Sequence, residues 1–240
     1  MYNIKDKIVI LTGASKGIGR ATAINLSQDD PKLVLVSRNH TELEEVIPFL
    51  KGGKENILLI EADVSDAKDC KRIVDETVKA FGTVDVLINN AAQFGREKVT
   101  ELEIEDYDRI MNANVRGPLI LMKEVLPYMI KQDGGTIMNI SSTAGKRGYP
   151  GGAAYSASKH ALNAISECLN SEVREHNVRV LTISPSSVDT RDKDESDIKK
   201  GGKGVYMRME DVAEAIGLAL RLPQRALIKD IEIWGTNPWK

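Results

Sequence analysis

Tyr155 and Lys159 stand four positions apart in the stretch AAYSASKHALNAI, from Ala153 to Ile165. On a helix that spacing puts one side chain above the other, so a phenol and an ammonium reach the same small molecule. A phenol beside a positive charge can pass a proton to or from an oxygen. Lysine is common, however, and most such pairs are solvated neighbours. The pair acquires meaning only from the elements that hold it.

Those elements are legible as a rhythm. Short apolar runs rich in β-branched residues recur at IVILT (Ile8), LVLVS (Leu33), NILLIEAD (Asn56), VDVLINNA (Val84), GTIMNISS (Gly135), VRVLTISP (Val178) and DIEIW (Asp230). Continuous apolar runs bounded by turn formers read as strands buried on both faces. Between them lie segments of helical period, from Gly19, from Asp69, from Glu105 and around Tyr155, the third interrupted by Pro118 and Pro127. Regular β-α alternation predicts one α/β domain over residues 1–240, a parallel sheet with helices on both faces. The charged, glycine-rich stretch from Asp189 to Met207 breaks the rhythm, and a substrate lid is expected at about 189–209.

Composition narrows the partners. With 33 Lys plus Arg against 35 Asp plus Glu, the net charge is −2 and leaves no basic footprint for nucleic acid or an acidic membrane surface. The start, MYNIKDKIVILTG, has too short an apolar run for a signal peptide, and no stretch has the length of a spanning helix, so a cytoplasmic protein is expected. Cys70 and Cys168 have no partner spacing, and His40, His160 and His176 are scattered, so neither a disulfide nor a metal site is expected. Cys168, among Ile165, Leu169 and Val173, reads as buried packing.

After the first strand comes TGASKGIGRA, with Gly13, Gly17 and Gly19 leading into a helix. Glycines there permit a tight turn and let backbone N–H groups approach a pyrophosphate at the helix N-terminus. The second strand ends in Ser37 and Arg38, without the acid that holds an NAD ribose. A guanidinium suits a 2′-phosphate, and Lys16 can add a second cation, so NADP(H) is expected rather than NAD.

Together TGASKGIG, Asp63-Val64, NNAA at Asn89 to Ala92, NVRG at Asn114 to Gly117, ISSTAG around Ser142, and YSASK at Tyr155 to Lys159 resemble the short-chain dehydrogenase/reductase family over nearly the whole chain. The resemblance implies a Rossmann-type doubly wound sheet and a reversible, NADPH-dependent reduction of a small carbonyl compound to an alcohol. It implies Tyr155 as acid/base, Lys159 lowering the phenol's pKa and binding the nicotinamide ribose, Ser142 holding the substrate oxygen, and Asn114 holding a water. On the cofactor it implies Gly13, Ser15, Gly17, Ile18 and Gly19 along the glycine loop, Lys16, Ser37 and Arg38 toward the ribose and its 2′-phosphate, and Asp63 and Val64 at the adenine. Asn90, Ala91 and Ala92 follow along the cofactor, with Pro185, Ser186, Val188 and Thr190 beside the nicotinamide and Asn89 bracing the sheet. Asp63 has a second reading, as a cap for the helix starting near Ser65. Phe94, Tyr149 and the lid would line the substrate pocket, with core packing an equal reading for the two aromatics.

Ala92 and Ser186 replace glycines usual in the family, which leaves the seating of the nicotinamide open. The family also implies a homodimer or homotetramer through the helices containing Met111 and Tyr155. Arg96, Lys146 and Arg147 lie where an active-site mouth is expected, as an anion-favouring group or a solvated rim. The alternatives are an NADP-sensing scaffold, disfavoured by the complete Asn-Ser-Tyr-Lys set, and a sugar-nucleotide epimerase or dehydratase, disfavoured by the glycine spacing.

Overall fold

Each of the seven apolar runs becomes a strand of one parallel sheet. The computed structural model describes residues 4–189 and 207–236. In chain order the elements are β1 (Ile8–Thr12), α1 (Gly17–Ser27), β2 (Lys32–Ser37), α2 (His40–Glu44), β3 (Ile57–Glu61), α3 (Ala67–Phe81) and β4 (Val86–Asn89). They continue with α4 (Ile104–Met111), α5 (Gly117–Lys131), β5 (Gly135–Ile140), α6 (Ala153–Val173) and β6 (Val178–Pro185). The last are the two-residue strands β7 (Val188–Asp189) and β8 (Met207–Arg208), then α7 (Met209–Leu220) and β9 (Asp230–Ile233).

The large sheet runs β3-β2-β1-β4-β5-β6-β9. Its order reverses between β1 and β4, which leaves a crevice at the carboxyl ends of those strands. Alternate strand residues feed two cores. Val9, Leu11, Leu33 and Leu35 pack toward Ala23 and Leu26 of α1 and Val212 and Ile216 of α7. Ile10, Val34 and Val36 pack on the other face with Ile73 of α3, Leu121 of α5 and Leu169 of α6. Burial on both sides explains why the inner strands are largely apolar rather than alternating, while β9 at the sheet edge alternates Asp230 and Glu232 with Ile231 and Ile233.

Three local features differ from the sequence expectation. The segment from Glu105 is two helices, joined by a turn of π-helix at Asn112–Arg116 that buries Asn114, with Pro118 in the first turn of α5, where its missing N–H is harmless. Cys168 is exposed. The buried stripe of α6 runs through Leu162, Ser166, Leu169 and Val173, and Cys168 lies one residue, about 100°, off it. Of the expected lid, only the ends are described: β7 pairs with β8, while Thr190 and the residues up to 206 lie outside the described residues.

Candidate active site

The loop between β1 and α1 takes its shape from its glycines. Gly13 and Gly17 have φ of +66° and +59°, a region closed to most side chains. A Cβ on Gly19 would lie 2.0 Å from the Gly13 carbonyl oxygen, so only glycine lets the helix start so close to the strand. Across the crevice, the Asn90 side-chain amide donates to the carbonyls of Thr12 and Gly13 at 2.8 and 3.1 Å. The Thr12 hydroxyl in turn accepts the N–H groups of Asn90 and Ala91, both at 3.0 Å. The ends of β1 and β4 are thereby tied together beside the loop.

From this point a cavity of about 910 Å³ follows the carboxyl edge of the sheet. Residues after β1, β2 and β3 line one half: Gly13, Ser15 to Ile18, Ser37, Arg38, Asp63 and Val64. Residues after β4, β5 and β6 line the other, including Asn90 to Ala92, Ser142, Tyr155, Lys159, Pro185, Ser186 and Val188. Almost every residue singled out from the sequence is brought to this one cavity. Gly19 and Asn114 are not among its lining residues.

Tyr155 and Lys159 occupy consecutive turns of α6, at the head of its buried stripe, and are 7% and 2% exposed. The Lys159 ammonium donates one hydrogen bond, to the Ile140 carbonyl at 2.7 Å, and burial pulls its pKa down to about 8. Among the described residues its two remaining N–H donors have no acceptor. Burial pushes the Tyr155 phenol up to about 12, with a hydrogen bond to Ser142 acting against it. The expectation that Lys159 lowers the phenol's pKa is therefore corrected for the free protein. Loss of water outweighs the cation, whose nitrogen sits 5.7 Å from the ring centroid and points at a backbone carbonyl. Ser142 holds its place by accepting the Ala144 N–H at 3.1 Å in the turn after β5.

Asn114 is tied into the frame of the site. Its amide donates to the Gln93 carbonyl at 2.9 Å and the Ser158 hydroxyl at 3.0 Å, while its oxygen accepts the Gln93 N–H at 2.7 Å. It thus locks the loop after β4 to the turn of α6 between Tyr155 and Lys159. Asn89 braces the sheet, donating to Asn139, which donates to Ser166, each at 2.8 Å. Asp63 accepts the N–H and hydroxyl of Ser65 at 2.9 and 2.7 Å, but the cap of α3 is Asp66. Neither Ala92 nor Ser186 has a positive φ, so neither position needs glycine's freedom.

The sequence reading passed over Glu42. It accepts the Ser15 hydroxyl at 2.9 Å and lines the cavity next to Arg38 and Asn39. The signal was present: Asn39 caps α2 by accepting the Glu42 N–H, the pattern of a cap followed three residues later by an acid. Trp234, after β9, is a second missed lining residue. Lys146, expected at the mouth, instead turns to Asp230 and Glu232 on the edge strand. Phe94 and Tyr149 line the cavity and are 65% and 44% exposed, which removes the core-packing reading for both.

The sequence pattern described as short chain dehydrogenase matches residues 7–200. The chain belongs to the short-chain dehydrogenase/reductase family. An uncharacterized oxidoreductase of Staphylococcus epidermidis is 32% identical over 233 residues, covering 97% of this chain and 99% of that one. Among solved structures, levodione reductase superposes with a TM-score of 0.85 at 25% identity, over 97% of this chain and 98% of that one. A metagenomic short-chain oxidoreductase in complex with NADP superposes with a TM-score of 0.82 at 26% identity, over 96% and 97% of the two chains. This short-chain dehydrogenase is accordingly an oxidoreductase on a Rossmann-type sheet. Among its described residues no helix is long and apolar enough to cross a membrane, and no group of His, Cys, Asp and Glu could hold a metal ion.

Proposed function

We propose that the protein reduces a small carbonyl compound to an alcohol, reversibly, with NADPH. The observation that carries this reading is Tyr155 above Lys159 on α6, with the Ser142 hydroxyl beside the phenol, all opening into the cavity that starts at the glycine loop.

The residues fit a nicotinamide dinucleotide. Gly13 and Gly17 expose backbone at the start of α1, and Gly19 lets that helix begin against the Gly13 carbonyl. Lys159 is a buried ammonium with two donors unused among the described residues, suited to ribose hydroxyls. Lys16 and Arg38 on the cavity wall suit a 2′-phosphate, and the NADP-bound structural relative supports the same choice. Glu42 spends part of its acceptor capacity on Ser15, which reduces its opposition to that phosphate.

The cofactor, when bound, would supply the hydride. Ser142 then donates to the carbonyl oxygen and polarises it, and the charge that develops there is met by a hydroxyl already in place. Tyr155 gives its proton to the same oxygen; held near pKa 12 in the free protein, it is fully protonated at neutral pH and ready to donate. Lys159 stabilises the phenolate left behind, one turn away on the same helix. Asn114 and Ser158 keep the loop after β4 in register with that turn. A homodimer or homotetramer is part of the proposal; on α5, Leu119 and Ile130 remain exposed, and light scattering on the purified protein tests it.

The test follows nicotinamide absorbance with NADPH and then NADH across diketones, quinones, aldehydes and oxo acids, with Tyr155→Phe in parallel. Oxidation of NADPH that the variant abolishes supports the reading. Tight NADPH binding with no turnover of any carbonyl class would move weight to a cofactor-sensing role.

A further inference from the structure

The cavity has charge of both signs in one half and of a single sign in the other. After β1 to β3 its wall carries Lys16 and Arg38 but also Glu42 and Asp63. After β4 to β9 it carries Arg96, Arg147 and Lys159, and no Asp or Glu among the described lining residues. The guanidinium groups of Arg38, Arg96, Arg147 and Arg174 have no hydrogen-bond or ion-pair partner among the described residues, and three of these four line this cavity.

A chain neighbour sharpens the point. Lys146 is drawn to two carboxylates on β9, whereas Arg147, the next residue, has none and faces the cavity. Arg38 in the first half has an assigned anion, the 2′-phosphate. Arg96 and Arg147 have the same unpaired state in the second half and no anion yet assigned.

Aromatic groups complete that half. Phe94 stacks on Tyr155 with ring centroids 4.6 Å apart and planes 24° from parallel. Tyr149 and Trp234 line the same space, all three largely open to solvent. Gly151, at φ +78°, brings the loop after β5 against the Arg96 backbone, so Phe94, Arg96 and Tyr149 come from two loops in contact. Exposed rings and unpaired guanidiniums around one buried phenol form a recognition surface for a flat apolar body with an anionic end.

We infer that the substrate is an oxo acid: a carbonyl compound whose carboxylate is held by Arg96 and Arg147 while Phe94 and Tyr149 flank its apolar body. The inference rests on the reductase reading. Hydride from the reduced cofactor reaches the carbonyl carbon, the proton comes from Tyr155, and the products are the hydroxy acid and oxidised cofactor. The carboxylate is not consumed.

The experiment pairs charge with shape. Phenyl-substituted 2-, 3- and 4-oxo carboxylates are each assayed with NADPH beside their methyl esters, in wild type and in Arg96→Gln/Arg147→Gln. At least one acid is expected to exceed its ester in kcat/KM by about tenfold or more, mostly through KM, with the ratio falling toward one in the double variant and at high salt. Each ester is the internal control for folding, because only the acid-to-ester ratio is read. Esters equal to or better than their acids would overturn the oxo-acid inference and leave the reductase reading standing.

Should no compound of the panel be turned over, binding decides. Quenching of tryptophan fluorescence is then titrated with the corresponding hydroxy acids and hydroxy esters on the NADP-loaded protein. Tighter binding of the acids that the double variant loses supports the inference without turnover; equal binding of acid and ester sinks it.

Discussion

The two halves of the cavity solve different problems with different parts of the chain. After β1 to β3 the wall takes its shape from the backbone: a loop with two positive-φ glycines, a helix start that tolerates no Cβ at Gly19, and a Thr12–Asn90 clamp beside them, with Lys16, Arg38, Glu42 and Asp63 at its edge. After β4 to β9 it is built of side chains on loops, aromatic and cationic, around a phenol and ammonium fixed on α6. A cofactor fragment shared by many enzymes can be held by main-chain geometry, which depends on few residue identities. A particular substrate must be held by side chains, which vary freely on loops without disturbing the sheet.

The sharpest break between the halves is expected from Tyr155→Phe. It should cut carbonyl reduction by on the order of 10³ while leaving NADPH affinity nearly unchanged, because only the proton donor is removed. Steady-state rates and a fluorescence titration of NADPH measure the two sides separately. Gly19→Ala is the converse. Its new Cβ would fall 2.0 Å from the Gly13 carbonyl, so the loop must move, and NADPH affinity should drop by tens of fold or the chain should fold poorly. Unchanged affinity would show that the loop is softer than its geometry implies.

Lys159, in the second half, is proposed to serve both cofactor and proton transfer, and pH separates these roles. Its folded pKa of about 8 lies below the ordinary 10.5, so the unfolded chain holds the proton more tightly. The cost of burying this charge is complete below pH 8 and fades as pH rises from 8 to 10.5. Lys159→Met should therefore be more stable than wild type at pH 7 by on the order of 1–3 kcal/mol, less at pH 9.5, as urea unfolding at the two pH values would show. In wild type, kcat/KM for reduction should fall as pH rises through 8 and the ammonium is lost, since Tyr155 stays protonated to about 12. The variant should lack that descent.

Smaller effects probe the first half alone. Arg38→Ala should lower the NADPH-to-NADH ratio of kcat/KM by about tenfold, through loss of a charge-assisted contact. Glu42→Gln should raise the same ratio by only a few fold, because its carboxylate is already engaged by Ser15.

The legibility of the sequence differed in the same way. The inner strands were readable because burial on both faces makes them largely apolar runs, the edge strand β9 because Ile231 and Ile233 alternate with Asp230 and Glu232, and the glycine loop because only glycine meets its backbone demands. Tyr155 and Lys159 could be paired because helical spacing is local. Cys168 was misread because the edge of a helix's buried stripe is set by what packs on it, and one residue of rotation separates core from solvent. Lys146 and Arg147 could not be told apart for the same reason: adjacent in sequence, they point to different neighbours, one to β9 and one to the cavity.

By itself, then, the sequence determined the strands, their order of appearance, the glycine-loop conformation and the partnership of Tyr155 with Lys159, all properties of contiguous residues. Only the tertiary structure decided that Glu42 meets Ser15, that Asn114 is held by Gln93 and Ser158, and that Arg96, Arg147, Phe94 and Trp234 share one wall. These contacts join loops following different strands, and it is the sheet order β3-β2-β1-β4-β5-β6-β9 that brings those loops side by side.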